Sequence, residues 1–158
     1  GLKKGQKVNC IIDWERRYRL MRSYTSAHIF CSLINTETGA LITGNSITPE
    51  KIRIDFSLEE CNQEKARKFI EKTNELIRNN VIVTSYEISR DQLKNNLIKL
   101  AKGLPSHIKT VRIVKIGNID EQPDAGTHVK NTSEIGTLEF IKYENRGRDN
   151  RRIYFKVL

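Results

Sequence analysis

The hydrophobic positions of the chain follow two periods, and these predict helices in some segments and strands in others. Apolar residues recur every third or fourth position over residues 14–34 and 62–79, as they do on the buried face of a helix. Elsewhere they alternate with polar residues, which is the period of a half-buried strand. Strands are predicted at residues 6–12, 41–43, 51–56, 81–88, 110–116, 137–143 and 152–158.

Local signals refine these boundaries. Asp13 is a good N-cap for the first helix, and Ser89 with Gln92 resembles a capping box, which predicts a third helix ending near Gly103. A polar turn joins the last two predicted strands, so they are expected to form a hairpin. Residues 117–136 hold few apolar side chains and many turn formers. The pattern predicts an α+β fold, with an antiparallel-leaning sheet and helices packed on it.

Length and composition narrow the class of protein. The 158 residues suit one domain, and 37% hydrophobic with 30% charged residues is typical of a soluble globular chain. No apolar run is long enough for a membrane helix, and no secretory signal is visible. The chain starts at Gly1 and its one methionine is Met21, so we expect a piece of a longer protein.

The charge and the cysteines add two expectations. Lys and Arg number 28 against 19 Asp and Glu, a net charge of +9, which favours an anionic partner such as nucleic acid. The three cysteines form no CxxC pair, so we expect reduced thiols in a cytoplasmic protein.

Two pairs of residues are candidates for a metal site. Asp124 and His128 are four residues apart in a predicted loop, with Gly126 between them to allow a turn. His28 lies on the predicted buried face of the first helix, four residues after Tyr24. On spacing alone, a lone buried histidine is more often a satisfied core residue than a ligand. His107 has the setting of an ordinary surface residue.

Three segments resemble the editing domain of alanyl-tRNA synthetase and the free-standing AlaX proteins. The first is residues 13–22, DWERRYRLMR, followed by Thr25 and His28. The second, residues 126–136, is GTHVKNTSEIG, and its resemblance is specific. The third comprises residues 144–148 and 151–153. The resemblance covers nearly the whole chain. It implies one editing-like domain over residues 1–158, of the synthetase second-additional-domain type. Longer AlaX proteins carry a small β-rich domain before it that nothing here matches, so we expect either a short type or a chain from which that domain was removed.

The resemblance also implies a zinc site with ligands from HxxxH on a helix and CxxxH on a loop. By position, His28 and His128 match the second helix histidine and the loop histidine. Tyr24 stands in place of the first histidine and Asp124 in place of the cysteine. A carboxylate ligates zinc, less tightly than a thiolate, whereas a neutral phenol is a poor ligand. A site of His28, Asp124 and His128 with one open position, and a site without metal, both stay open.

The implied activity is metal-dependent hydrolysis of alanine tRNA wrongly charged with serine or glycine. Two alternatives are a tRNA-binding module of the same fold without catalysis, and an editing domain of the threonyl type. Thr25 and Thr127 are candidates for substrate recognition; the Thr25 hydroxyl either reads a serine hydroxyl or bonds back to its own helix. Two basic clusters are candidates for tRNA phosphates: Arg16, Arg17, Arg19 and Arg22, and Arg146, Arg148, Arg151 and Arg152.

Overall fold

The computed structural model of the chain describes residues 1–100, 104–105 and 107–158. In these residues the helices are α1 (Trp14–Thr38) and α2 (Gln63–Ile77). The strands are β1 (Ile42–Ile47), β2 (Ile52–Phe56), β3 (Val83–Ser89), β4 (Thr110–Ile116), β5 (Asp120–Pro123), β6 (Leu138–Asn145) and β7 (Arg151–Val157). Within the described ranges, neither helix is long and apolar enough to cross a membrane.

The strands form two antiparallel sheets. One has the order β1-β2-β7-β6 and the other the order β3-β4-β5. Helix α1 packs against β1, β2 and β7 and alongside α2, which packs against β6. Helix α1 also reaches β5, so it links the larger sheet to the smaller one. The predicted α+β class is confirmed, and the predicted hairpin at the end of the chain is β6 with β7.

Helix α1 has the caps that its sequence predicts and ends later than expected. The Asp13 carboxylate accepts a hydrogen bond from the backbone N–H of Arg16 at 3.0 Å. At the other end, Gly39 has a φ of 72° and donates to the carbonyl of Asn35 at 2.8 Å. The helix therefore continues to Thr38 rather than stopping near residue 34. Its buried residues begin at Ser23, which leaves the basic first turns exposed.

Three phenylalanines fix α1 on the larger sheet. Phe30 packs against Phe56 of β2 and Phe155 of β7, with ring centroids 5.8 Å and 4.7 Å apart. All three side chains are fully buried. His28 lies two residues earlier, roughly 200° around the helix axis. The same packing that buries Phe30 therefore turns His28 away from the larger sheet and toward β5.

Two sequence predictions are wrong. Residues 6–12 form no strand; they are exposed, Ile11 to 94%, because no neighbouring strand lies beside them. The predicted third helix is absent from residues 89–100. Ser89 does form the capping box with Gln92, but only two short 3₁₀ turns follow, Arg90–Gln92 and Asn95–Leu97. The backbone there bonds outward instead, since the carbonyl of Lys99 accepts from Ile42 of β1. Residues 101–103, the end of that predicted helix, lie outside the described residues.

Strand β5 was missed because its sequence is polar. It lies within residues 117–136, which hold few apolar side chains, and it pairs with β4. Asp120 and Gln122 point inward and are 4% and 5% exposed. Buried polar side chains in a strand need hydrogen-bond partners. Asp120 finds one at His28, and Gln122 donates to Asp120 and also lies 3.2 Å from Nδ1 of His28.

Candidate metal centre

Two histidines and one aspartate meet where α1 faces the smaller sheet. His28 comes from α1, Asp124 follows β5 directly, and His128 lies four residues further on. One ligand atom from each residue lies within 4.8 Å of the other two. Asp124 Oδ2 is 2.9 Å from Nε2 of His28 and 2.9 Å from Nε2 of His128. The residues that the sequence proposes as ligands therefore lie together.

The three side chains are largely shielded but not sealed. The exposed fractions are 9% for His28, 3% for His128 and 20% for Asp124. A cavity of about 270 Å³ opens beside them, bordered by His28, Asp124 and Tyr24 among others. A ligand placed in this cavity would contact His28 and Asp124, two of the three candidate metal ligands.

The backbone around Asp124 is held from several directions. The guanidinium of Arg112 on β4 donates to the carbonyl of Asp124 at 3.2 Å and to that of Gly126 at 2.8 Å. The N–H of Gly126 donates to Asp124 Oδ1 at 2.8 Å. The second carboxylate oxygen, Oδ2, is thereby left to face the two histidines. Such fixed geometry favours a preorganised ligand site.

Gly126 is required for close approach rather than for a left-handed turn. A Cβ built on it would lie 2.6 Å from Cδ1 of Tyr24 and 2.9 Å from Oδ2 of Asp124. The expected reason for this glycine, freedom to fold the loop, is therefore replaced by a packing reason. The Tyr24 ring occupies the space above it.

The outer nitrogen of each histidine also has a partner. His28 Nδ1 is 2.9 Å from Asp120 Oδ2, and Gln122 donates to the same oxygen at 2.8 Å. His128 Nδ1 is 3.2 Å from the Thr25 hydroxyl. Sequence reasoning missed Asp120, Gln122 and their contacts. The alternation of Asp120 and Gln122 with two other residues, just before Asp124, is the signal that could have revealed a strand aimed at the site.

Charge within the site follows from these contacts. Burial works against ionisation of Asp124, but hydrogen bonds from His128 and His28 outweigh it and lower its pKa. Burial also disfavours the charged form of His28, yet Asp120 and Asp124 raise its pKa overall. The pKa of His128 is lowered by burial, to which the neighbouring His28 charge adds. The centre thus places the ionised Asp124 carboxylate between two imidazoles, a set of donors that could hold a metal ion.

Tyr24 does not take the place of a fourth ligand. Its ring stands edge-on to His128, with centroids 6.2 Å apart, and covers Gly126. It lines the cavity as an aromatic wall one turn before His28.

The Thr25 hydroxyl of α1 contacts Nδ1 of His128 at 3.2 Å. This fully buried hydroxyl donates to the carbonyl of Met21 at 2.9 Å and accepts from the N–H of Val129 at 3.2 Å. Of the two alternatives for Thr25, bonding back to its own helix is present in the fold. Substrate contact by Thr25, or by the half-buried Thr127, stays a prediction.

The arginines proposed for tRNA contact fall into two groups. The exposed ones are Arg16, Arg17, Arg19, Arg146 and Arg148. The others have partners within the fold: Arg22 donates to the carbonyls of Ile135 and Leu158, Arg151 to the carbonyl of Glu59, and Arg152 to both oxygens of Asp55. Phosphate contact by either group stays a prediction. In the exposed group, Arg19 also pairs with Glu15 at 2.7 Å and Arg148 with Asp149 at 3.8 Å.

Comparison with known proteins identifies the family of the chain. The family described as the threonyl and alanyl tRNA synthetase second additional domain matches residues 111–154, which include all of β5 and β6, the Asp124 loop, β4 without its first residue and the first half of β7. The chain is 43% identical to the alanyl-tRNA editing protein AlaX-M of Methanosarcina barkeri and 40% identical to that of Saccharolobus solfataricus. These matches cover 100% and 99% of this chain and 66% of each relative.

A third relative is the AlaX-L protein of Pyrococcus horikoshii, 30% identical over 97% of this chain and 37% of its own length. The chain is thus an editing-type domain of the tRNA synthetase class. It belongs to the family of alanyl-tRNA synthetase editing domains and AlaX proteins. It spans slightly less than two thirds of the AlaX-M relatives.

The donor set fits a zinc ion. Imidazole nitrogens and a carboxylate oxygen are ordinary zinc ligands, and three protein ligands with one open position are typical of a catalytic zinc. Both histidines have outer partners that orient their rings, as metal-bound histidines do. His28, Asp124 and His128 would hold the ion.

Replacing Gly126 with alanine should damage the site selectively. The added methyl group meets Tyr24 and Asp124 at under 3.0 Å, so the ring or the carboxylate must move. We expect zinc affinity to fall on the order of tenfold or more, and unfolding free energy to fall by about 1–3 kcal/mol. Calorimetric zinc titration and urea denaturation measure the two effects. Ala125→Ser, a similar addition at the exposed neighbouring residue, is the control and should change neither.

Proposed function

We propose that this chain hydrolyses the ester bond of alanine tRNA that carries serine or glycine, acting in trans on the charged tRNA with a bound zinc ion. The observation that carries this proposal is the meeting of His28, Asp124 and His128 beside an open cavity. Support comes from relatives named as alanyl-tRNA editing proteins.

In the proposed reaction, water attacks the ester carbonyl carbon and the bond to the ribose oxygen of the tRNA 3′ end breaks. The ribose oxygen gains one proton of the attacking water, the other proton passes to solvent, and the amino acid leaves as a carboxylate. Bound zinc would supply Lewis acidity at the carbonyl and lower the barrier to attack. The protein holds the ligand side chains in one arrangement before substrate arrives, so little reorganisation is needed during the reaction.

The cavity supports a small amino acid as substrate. At about 270 Å³ it is near the lower limit of ordinary ligand pockets. Tyr24 forms one wall, and Asn45 and Gln122 supply polar groups on others. Thr25 acts through His128 in this proposal, and Thr127 is the candidate for reading a serine hydroxyl.

The exposed arginines supply the proposed tRNA contacts. Arg16, Arg17 and Arg19 lie on the first turns of α1, and Arg146 and Arg148 lie in the turn between β6 and β7. Their side chains, together with a net charge of +9, suit phosphate binding. A protein that acts on charged tRNA would work in the cytoplasm.

Two other functions stay candidates. The site lacks the helix histidine and the loop cysteine implied by the family resemblance, which favours a tRNA-binding module without catalysis. The matching family also includes threonyl-tRNA synthetase domains, so an editing domain of threonyl type is the second candidate. The AlaX names of the relatives favour the alanine version.

Deacylation of serine-charged alanine tRNA tests the proposal. The purified protein should release serine only when zinc is bound. His128→Ala should lower the rate of release by more than about a hundredfold, because losing a metal ligand is more damaging than losing a residue that only orients one. His107→Ala, at an exposed histidine, is the matched control. If the protein binds tRNA but never releases serine, the binding-module alternative holds. Release of serine from threonine tRNA alone favours the threonyl type.

Changing Tyr24 to histidine should strengthen zinc binding. The new imidazole lies one turn before His28 on α1 and adds a fourth nitrogen donor. We expect the zinc dissociation constant to fall on the order of tenfold or more, as measured by competition with a chromogenic chelator. Tyr24→Phe is the control, because it keeps the ring and adds no donor. Equal affinity in both variants would show that residue 24 does not face the metal.

Zinc binding should weaken as the pH falls. In the metal-free protein the pKa of His28 is raised, because Asp120 and Asp124 outweigh the effect of burial, so a proton occupies Nε2 up to a higher pH than in an ordinary histidine. Zinc must displace this proton. Calorimetry in buffers of different ionisation enthalpy should find proton release that grows as pH drops toward the pKa of His28. Zinc affinity that stays constant between about pH 6 and 8 would contradict this expectation.

A further inference from the structure

Tyr24 stands at a position where the family resemblance implies a metal ligand. A neutral phenol ligates metals poorly, but its hydroxyl is a good hydrogen-bond donor. Tyr24 lies on α1 one turn before His28 and is half-buried. Its side chain borders the cavity of about 270 Å³ beside the candidate metal centre. The phenol therefore belongs to the wall of the cavity that the ester of the proposed reaction must enter.

The Tyr24 ring is held close to the converging ligand atoms. Its Cδ1 and Cε1 lie 2.6 Å and 2.8 Å from the position that a Cβ on Gly126 would take. The same position is 2.9 Å from Oδ2 of Asp124, the atom that both histidines approach. The ring also stands edge-on to His128, at an interplanar angle of 73°. The phenol thus lies beside the carboxylate, across the gap that Gly126 leaves.

The polar groups of the cavity wall differ in whether their hydrogens are already engaged. The Gln122 amide donates to a carboxylate oxygen at 2.8 Å, and both ring nitrogens of His28 face carboxylates. The thiol of Cys31 is a weak donor, and Asn45 is exposed on β1. The Tyr24 hydroxyl forms no hydrogen bond within the part of the chain that the structure describes. It is therefore a half-buried donor that a bound substrate can use.

Ester hydrolysis creates a need for such a donor. Negative charge develops on the carbonyl oxygen as water attacks the carbon, and a fixed hydrogen-bond donor stabilises that charge with little reorganisation. Tyrosine hydroxyls are among the side chains that serve this purpose. Asp124 is ionised and would repel the charge, whereas the neutral phenol beside it can donate to the oxygen. The interaction is stronger where water has little access.

We propose that Tyr24 is a catalytic residue whose hydroxyl donates a hydrogen bond to the ester carbonyl oxygen as water attacks. This inference rests on the proposed hydrolase function. The phenol keeps its proton throughout. The hydrogen bond strengthens as charge grows on the carbonyl oxygen and weakens when the carbonyl re-forms and the bond to the ribose oxygen breaks. Residue 24 thus acts on the substrate, at a position where the implied histidine would act on the metal.

Tyr24→Phe removes the hydroxyl alone and tests the proposal in zinc-loaded protein. The rate of serine release from saturating serine-charged alanine tRNA should fall about 100–1000-fold, as for the loss of one oxyanion donor. The KM for the charged tRNA should stay near the wild-type value, because the bond strengthens only in the transition state. Zinc affinity and melting temperature should also hold, since the phenol neither ligates the ion nor bonds a described residue.

Tyr86→Phe is the matched control. It also removes one tyrosine hydroxyl, which donates to Glu121 at 2.6 Å on the smaller sheet and does not border the cavity. This variant should release serine at the wild-type rate.

Two stable analogues separate an effect on the reacting carbonyl from an effect on the shape of the cavity. One is adenosine esterified at its 3′ oxygen with 1-amino-2-hydroxyethylphosphonic acid, whose anionic tetrahedral phosphorus resembles the attacked ester. The other is the serine amide of 3′-amino-3′-deoxyadenosine, which keeps a planar carbonyl. By calorimetry, Tyr24→Phe should weaken phosphonate binding on the order of tenfold or more and amide binding by less than about twofold.

The proposal is overturned if Tyr24→Phe releases serine as fast as the wild type, or if it weakens both analogues by the same factor. Loss of zinc together with a lower melting temperature would show that Tyr24 has a structural role, and would overturn it as well. Failure of the hydrolase proposal looks different: the wild type itself would release no serine and bind neither analogue, and the proposed role of Tyr24 would fall with it.

Discussion

The arrangement of this chain depends on one oxygen atom shared by two histidines. Asp124 Oδ2 lies 2.9 Å from Nε2 of His28 and of His128, in a place where water has little access. A carboxylate in such a place is stable only with several polar partners. The surrounding fold supplies them: Gly126 donates to its other oxygen, Arg112 holds the loop, and Asp120 and Thr25 hold the two histidines from behind. A cation at the same point would neutralise the Asp124 carboxylate.

The position of that oxygen explains features elsewhere in the fold. The aromatic packing of Phe30 turns His28 toward the smaller sheet. There the polar strand β5 places Asp120 and Gln122 beside the His28 ring. Gly126 is small because Tyr24 and Asp124 approach it on both sides. These residues lie in separate segments of the sequence, and each segment contacts either the His28 ring or the Asp124 carboxylate.

Much of this fold follows from patterns within single elements, and the parts that do not follow depend on distant partners. The periodicity and caps of α1, and the alternation in the final hairpin, depend on neighbours a few residues away, so they are predictable. Residues 6–12 alternate equally well and form no strand, because alternation does not supply a pairing partner. Lys99 lies inside a predicted helix, whereas its ion-pair partner, Asp120, lies twenty-one residues later.

The candidate ligands came from spacing and from a family resemblance, and the fold brings them together. They differ from the implied ligand set at two positions: the Asp124 carboxylate replaces the thiolate, and the Tyr24 ring replaces the first histidine. We expect this combination to weaken metal binding without abolishing it. It also makes the outer partners of the remaining histidines more important, since fewer ligands share the task of holding the ion.

X-ray absorption at the zinc edge tests this account most directly. Zinc-loaded protein should show only nitrogen and oxygen neighbours at about 2.0–2.2 Å, with the outer-shell scattering of two imidazoles. The same measurement on His28→Ala should show one imidazole fewer or no bound zinc. A sulfur neighbour near ~2.3 Å, or spectra of wild type and His28→Ala that coincide, would contradict a centre built from His28, Asp124 and His128.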